Sequence, residues 1–370
     1  MSTTAKATPG PGGRAVDMAP FVPAVAFEPP ALPALSSDAT PTNAADFSGD
    51  LLVVAVTEDD LEVERDAASK AAVSAKISGS ASALTALDAA FGGALSEILS
   101  SGGFDGKPGA PSKCVRLFGL PKGPKHVALV GLGKAEKLAA IASAAGGTDG
   151  ALSGANGAAA GGSPFAGAGA AVASLCKQSR LRSAALVFPT TPSAALSAAN
   201  AVSVQRAASA ALVGAYESTR FKSASPPAPR LESLAFLALP ADADASAALK
   251  RASAAAAGNL LARYLVEAPP NVCTPTHLAE CAGHIAALAP GKFSLEVLEA
   301  DDCAKMGMGC FLGVSEASLE PPKLIHLTYK SGGSGATPVA IVGKGLTFDS
   351  GGYNLKAGPG SMIELMKFDM

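Results

Sequence analysis

The residues best able to do chemistry gather between Pro338 and Met370, in the stretch PVAIVGKGLTFDSGGYNLKAGPGSMIELMKFDM, which carries Lys344, Asp349, Lys356 and Asp369 among glycines. Carboxylates brought together by separate loops repel one another, and a divalent cation is the usual way to offset that repulsion. A lysine in such a cluster has two options. It neutralises the carboxylates as an ammonium, or it loses its proton beside a metal and binds through its amine, because nearby positive charge and burial both lower a lysine pKa. By spacing alone the same residues also read as surface lysines and aspartates on a glycine-rich loop.

Elements must exist to position these groups. The run Val339–Val342 reads as a short buried strand that empties into the glycine-rich loop. Open α/β sheets bind ligands in this way, beyond the carboxyl ends of parallel strands, where side chains from successive loops converge. Upstream, strand and helix patterns alternate. Strand Leu51–Val56 is followed by a helix over Leu84–Leu99, strands Cys114–Phe118 and His126–Val130, and an alanine-rich helix Lys134–Ala145. After a Gly/Ala/Ser-rich insert at 146–169, read as a mobile surface loop, come helix Ala170–Gln178, strand Ala184–Phe188, helix Ser193–Glu217 and strand Leu234–Leu239. Such alternation predicts an α/β fold with a mainly parallel or mixed sheet and helices on its faces.

The expected organisation is two-domain. Residues 1–48, rich in Ala, Pro, Ser and Thr, read as a disordered leader, either an organellar transit peptide or a simple flexible tail. Residues 49–240 form the first α/β domain, and 241–266 form a linker helix. Residues 267–370 form a second α/β domain, with a helix over Thr276–Leu288, strands Ser294–Leu298 and Leu324–Tyr329, and the terminal strand and loop.

Composition narrows the function classes. The 370 residues are 48% hydrophobic, enough for sizeable cores, although Trp is absent and the packing must come from aliphatic residues. A formal net charge of -2 gives no global electrostatic reason to bind nucleic acid or an anionic membrane. No long uninterrupted apolar run marks a transmembrane helix. Six cysteines lie scattered without CxxC spacing, which argues for free thiols in a reducing compartment rather than a disulfide framework.

The terminal stretch VGKGLTFDSGGYNLKAGPGSMIELMKFDM resembles, nearly position by position, the signature of the cytosol (leucyl) aminopeptidase family of two-metal peptidases, in its plant and algal form. A second match lies at Leu265–Ala282, LVEAPPNVCTPTHLAECA, with Pro269, Asn271, Thr274, Pro275, Leu278, Ala279 and Glu280 in the family's places. The strong motifs span about Ala262 to Met370, while the first domain is similar to the family's macro-like N-terminal domain in pattern only. The resemblance implies that Lys344 is a metal-ligating lysine, Asp349 the carboxylate bridging two metals, and Asp369 a ligand of the tighter site. It makes Lys356 the catalytic lysine that polarises the scissile carbonyl, and Met366 a residue lining the pocket for the substrate's first side chain. The longer spacing from Lys356 to Asp369 reads as a plant-like loop insertion.

The implied activity is hydrolysis of the N-terminal residue from peptide substrates, with two divalent ions per full-length subunit. Zinc, manganese or magnesium would suit the hard donors. The resemblance further implies a homo-hexamer when full length, and a cytoplasmic or plastid location is expected. The family's second signature, resembling NTDAEGR, is expected downstream of Asp369, so the 370 residues by themselves read as C-terminally truncated and are expected to be inactive or nearly so. The alternative is a non-catalytic protein of this type with a binding, assembly or chaperone-like role.

Other features read as ordinary structure. His277, Cys281 and His284 would share one helix face, but their spacing fits no structural zinc signature. Thr274 ahead of Pro275 is expected to cap that helix. The GLGK at Gly131–Lys134 and the GKG at Gly343–Gly345 lack the spacing of a phosphate-binding loop. His126 and His326 stand without a nucleophile partner.

Overall fold

A computed structural model describes residues 31–38, 44–120, 122–138, 163–188, 201–218, 220–221, 231–237, 245–330, 337–353 and 355–356. The chain divides into two compact units, one spanning Pro30–Leu261 and the other built on Ala262–Met370.

The first unit runs β1 (Ala34–Asp38), β2 (Leu51–Val56), β3 (Leu61–Arg65), β4 (Ala72–Ile77), α1 (Ser82–Ala90), α2 (Ala94–Ser100), β5 (Val115–Arg116), β6 (His126–Gly131), α3 (Pro164–Ser179), β7 (Ser183–Val187), α4 (Ala201–Ala215) and β8 (Ser233–Leu237). It closes on α5 (Ala245–Glu267), which runs past the boundary between the units. Among the described residues, one sheet has the order β1-β8-β7-β2-β6-β5. Its pairs are parallel except for β5, which lies antiparallel to β6. Strands β3 and β4 form a separate antiparallel pair.

The central strand explains the architecture. All six residues of β2, LLVVAV, are completely buried, as a parallel strand covered on both faces must be. Their side chains alternate between two cores. Leu51, Val53 and Ala55 join Phe165, Val172, Val204 and Ala208 under α3 and α4, while Leu52, Val54 and Val56 join Leu84, Leu95 and Leu99 under α1 and α2. Each fully buried Leu or Val contributes about 1.5–3 kcal/mol relative to exposure.

Several expectations change here. The single helix over Leu84–Leu99 is two helices, because Gly92 and Gly93 take left-handed φ values of 65° and 86° that a helix cannot contain. The break is held by Asp88, whose Oδ1 accepts the Leu95 and Ser96 N–H groups at 2.8 and 3.0 Å and so caps α2. The stretch read as a leader contains β1, which pairs in parallel with β8 and sets Leu35 against the α3/α4 core. The insert read as 146–169 is helical from Pro164, since Phe165 and Ala168 belong to the buried face of α3. Its remainder, most of the expected helix Lys134–Ala145, and residues 193–200 lie outside the described residues.

In the second unit, α6 (Pro275–Ala287) precedes β9 (Phe293–Leu298), α7 (Ala300–Lys305), α8 (Gly309–Ser315) and β10 (Leu324–Tyr329). Strands β9 and β10 pair antiparallel from Phe293↔Tyr329 to Leu298↔Leu324. Thr274 caps α6 through its Oγ1, which accepts the His277 N–H at 3.3 Å, with Pro275 in the first turn.

The expected buried strand Val339–Val342 is not present. Those residues are irregular, with Val339, Ile341 and Val342 exposed at 84, 94 and 93%. A strand forms only where a neighbour takes up its N–H and C=O groups, and among the described residues Val339–Val342 pair with none. Also among the described residues, no helix is long and apolar enough to cross a membrane.

Candidate active site

Three of the five residues singled out by sequence, Lys344, Asp349 and Lys356, lie among the described residues of 343–353 and 355–356, and the segment's own backbone bonds shape it. Gly345, Gly351 and Gly352 all adopt positive φ, at 66°, 87° and 58°. Only glycine takes such values without strain, so the chain turns sharply on either side of Asp349. The Lys356 N–H donates to the Ser350 carbonyl at 2.9 Å, closing the segment between them.

That closure brings Lys356 onto Asp349. The Lys356 Nζ donates to Asp349 Oδ2 at 2.8 Å, while Asp349 Oδ1 accepts the Gly351 N–H at 3.0 Å. Both side chains are about one-third exposed, at 29 and 32%. The hydrogen bond from Lys356 holds the Asp349 carboxyl below the usual carboxylate range, helped by the Gly351 N–H and the positive charges of Lys356 and Lys344. Asp349 is therefore a carboxylate with cations on its doorstep.

The donor chemistry suits a divalent cation in kind. A carboxylate already positioned to hold one cation, with a potential amine donor close enough for its charge to be felt, offers hard ligands. It is a partial set, because among the described residues no group of three or more His, Cys, Asp or Glu is placed to hold an ion. Asp369 and Met366 lie outside the described residues. Sequence reasoning missed the Ser350 carbonyl and the Gly351 N–H, the two backbone groups that orient this pair. Glycines flanking Asp349 were the signal that could have found them.

The other candidates have structural explanations. His277 Nε2 lies 3.7 Å from Cys281 Sγ and its Nδ1 3.9 Å from Glu280, but burial, with Cys273 and Glu280 nearby, pushes the Cys281 thiol up to about 11. Such a thiol is a poor ligand and nucleophile. His126 Nδ1 is engaged with the Asp50 carbonyl at 3.0 Å, and His326 lies 3.5 Å from Glu296 on an exposed surface. The GLGK turn offers no open phosphate cradle. The backbone of Gly106 and Lys107 fills the space a Cβ at Gly131 would need, and the Gly133 N–H donates to the Gly106 carbonyl at 2.8 Å.

Comparison with known proteins agrees with this fold. Residues 260–370 match the model of the cytosol aminopeptidase family, catalytic domain, and residues 53–225 match that family's N-terminal domain. The chain is 36% identical over 339 residues to leucine aminopeptidase 2, chloroplastic, of Arabidopsis thaliana, covering 91% of this chain and 52% of that protein. It is 39% identical over 343 residues to neutral leucine aminopeptidase, chloroplastic, of Solanum lycopersicum, covering 91 and 53%. To the probable cytosol aminopeptidase of Rippkaea orientalis it is 34% identical over 328 residues, covering 88 and 56%. The chain thus spans about half the length of the curated relatives it matches. Its fold superposes on the solved structure of a lysine-to-glutamate mutant of tomato leucine aminopeptidase with a TM-score of 0.68 at 30% identity, covering 91% of this chain and 58% of that one. With both halves matched by one family's models and the fold shared, the chain belongs to the cytosol aminopeptidase family, a family of enzymes.

Proposed function

We propose that the protein carrying this chain is a metal-dependent leucyl aminopeptidase that hydrolyses the N-terminal residue from peptides by a two-metal mechanism. The observation that supports it most is the 2.8 Å contact of Lys356 with Asp349, inside a loop that falls in the family's catalytic-domain match. In this reading Lys344, Asp349 and Asp369 hold the ions, which are zinc, manganese or magnesium. When bound, such ions supply Lewis acidity and an acidified water.

The chain's own residues do the rest. Asp349, held below the ordinary carboxylate range by Lys356 and the Gly351 N–H, stays ionised at neutral pH and keeps its charge available to cations. Lys356 acts as a positioned ammonium that polarises the scissile carbonyl and steadies the negative charge developing on its oxygen. Its backbone tie to Ser350 limits the directions its side chain can take. Met366 lines the pocket for the first side chain, where a flexible thioether adapts to bulky apolar groups.

The division of labour follows the domain reading, with 49–240 as the N-terminal domain, 241–266 as a connecting helix and 267–370 as the catalytic portion. A homo-hexamer acting on peptide substrates in the cytoplasm or a plastid completes the proposal. Relatives named as chloroplastic leucine aminopeptidases and as a cytosol aminopeptidase support the location. The test is release of the amine from a leucyl anilide by the natural protein that contains this chain. Hydrolysis should vanish with chelator and return with manganese or zinc. Hydrolysis indifferent to chelator, or none after metal reconstitution, would sink the reading.

A further inference from the structure

The Asp349 carboxylate has one oxygen on the Gly351 N–H at 3.0 Å and the other on the Lys356 ammonium at 2.8 Å. The two oxygens therefore differ in kind. Oδ1 is fixed by the backbone, within a turn set by the positive φ of Gly351, whereas Oδ2 faces a side chain that can swing away. An ammonium on a four-carbon stem is a mobile point charge, and at this exposure its pairing with a carboxylate is weak enough to be exchanged.

Resting on the metal-ligand reading of Asp349, we propose that Lys356 is a built-in counter-cation whose ammonium holds Asp349 Oδ2 and yields it to an incoming divalent ion. Electroneutrality gives the reason. A carboxylate oxygen pulled toward a divalent ion exchanges one cation for a stronger one, and the displaced ammonium is repelled by the newcomer. The loop keeps Lys356 nearby through the Lys356 N–H to Ser350 carbonyl bond, so release moves the side chain without freeing the backbone. Metal loading and availability of the lysine for substrate are then one event. A protein that has not loaded metal has its catalytic lysine occupied.

Manganese binding to the chelator-stripped natural protein, followed by calorimetry, tests this without an activity readout. Removing the competitor should tighten binding, so Lys356→Gln is expected to bind manganese about twofold to fivefold more tightly than wild type, the scale of an exposed ion pair. Lys356→Arg keeps the competing cation and should stay near wild type. Lys356 should also become more reactive to an amine-acylating reagent when manganese is added, read by peptide mass spectrometry. Equal or weaker binding by Lys356→Gln, with binding lost in Asp349→Asn, overturns the displacement while leaving the metal site standing. Unchanged binding in Asp349→Asn overturns the metal reading itself, and this inference with it. Should Lys356→Gln not fold, the labelling of wild-type Lys356 decides alone, and no rise on adding manganese overturns the proposal.

Discussion

The Lys356 ammonium stands 2.8 Å from Oδ2 of Asp349 although six residues separate them in the chain, because the Ser350 carbonyl accepts the Lys356 N–H and folds the segment back on itself. If that ammonium serves the developing charge on a substrate carbonyl, its loss should fall on the chemical step. Lys356→Ala in the natural protein is expected to lower kcat by about 10²- to 10³-fold with KM little changed. Steady-state kinetics on a leucyl anilide checks it, and a change confined to KM would assign Lys356 to ground-state binding instead.

Asp50 ties three interior strands together at their N-terminal ends, where β2, β6 and β7 begin. Its Oδ1 accepts the Lys125 ammonium at 2.8 Å, and its Oδ2 accepts the Arg182 and Ser183 N–H groups at 3.1 Å each. Burial raises the pKa, but these bonds outweigh it and lower the Asp50 carboxyl to about 2. A carboxyl depressed on folding contributes stability that is present above its unfolded value of about 3.9 and is lost as pH falls through the folded value. Discounted for the solvent around the largely exposed Lys125, the contribution is on the order of 1–2 kcal/mol. Wild type should therefore exceed Asp50→Asn in urea stability at pH 7, with the gap narrowing between about pH 4 and pH 2. A gap independent of pH across that window would show that the carboxylate charge is not what stabilises these strand ends.

Helices α3 and α4 meet through small residues. A Cβ on Gly169 would collide with the Ala207 carbonyl oxygen, and one on Gly214 would lie 2.9 Å from the Ala173 Cβ. Gly169→Ala should destabilise the N-terminal unit by about 1–3 kcal/mol through overpacking, despite the better helix propensity of alanine. Chemical denaturation checks the sign, since a stabilised Gly169→Ala would mean that the helices can separate at little cost.

Legibility in the sequence followed partners rather than hydropathy. LLVVAV at Leu51–Val56 and VAIV at Val339–Val342 carry the same apolar signal, yet the first is a fully buried strand between β6 and β7 and the second is exposed and unpaired among the described residues. A single sequence does not say which strand lies alongside. The edge strand ALSSD was missed for the opposite reason, since Leu35, which packs on the core, is followed by Ser36, Ser37 and Asp38, and such a short, mostly polar run reads as tail. At the site, the residue types and the glycines flanking Asp349 were visible. The contact of Lys356 with Asp349 was not, because the glycines mark a turn without saying that the Ser350 carbonyl takes up the Lys356 N–H within it.

The edge strand gives a direct test of where the folded domain begins. Leu35 lies against the core beneath α3 and α4, and β1 supplies the parallel partner of β8 along Ser233–Leu237. Leu35→Asp should cost about 1–3 kcal/mol, by losing apolar contact and forcing a charge toward that core. Denaturation of the variant beside wild type measures the cost, and an unchanged midpoint would return Ala34–Asp38 to the status of a dispensable tail.

Thiol reactivity separates the cysteines by environment. Burial pushes Cys176 up to about 12 and Cys281 up to about 11, so at pH 8 almost none of either is thiolate, and both are shielded from solvent. Cys310 is exposed. Brief alkylation of the native protein at pH 8, read by peptide mass spectrometry, should label Cys310 first and leave Cys176 and Cys281 unmodified until denaturant is added. The ordering also probes the two units separately, because Cys176 lies on α3 in the first and Cys281 on α6 in the second. If Cys281 labels in native protein while Cys176 does not, α6 opens locally with the first unit intact, and the mobility belongs to the unit that carries Asp349 and Lys356.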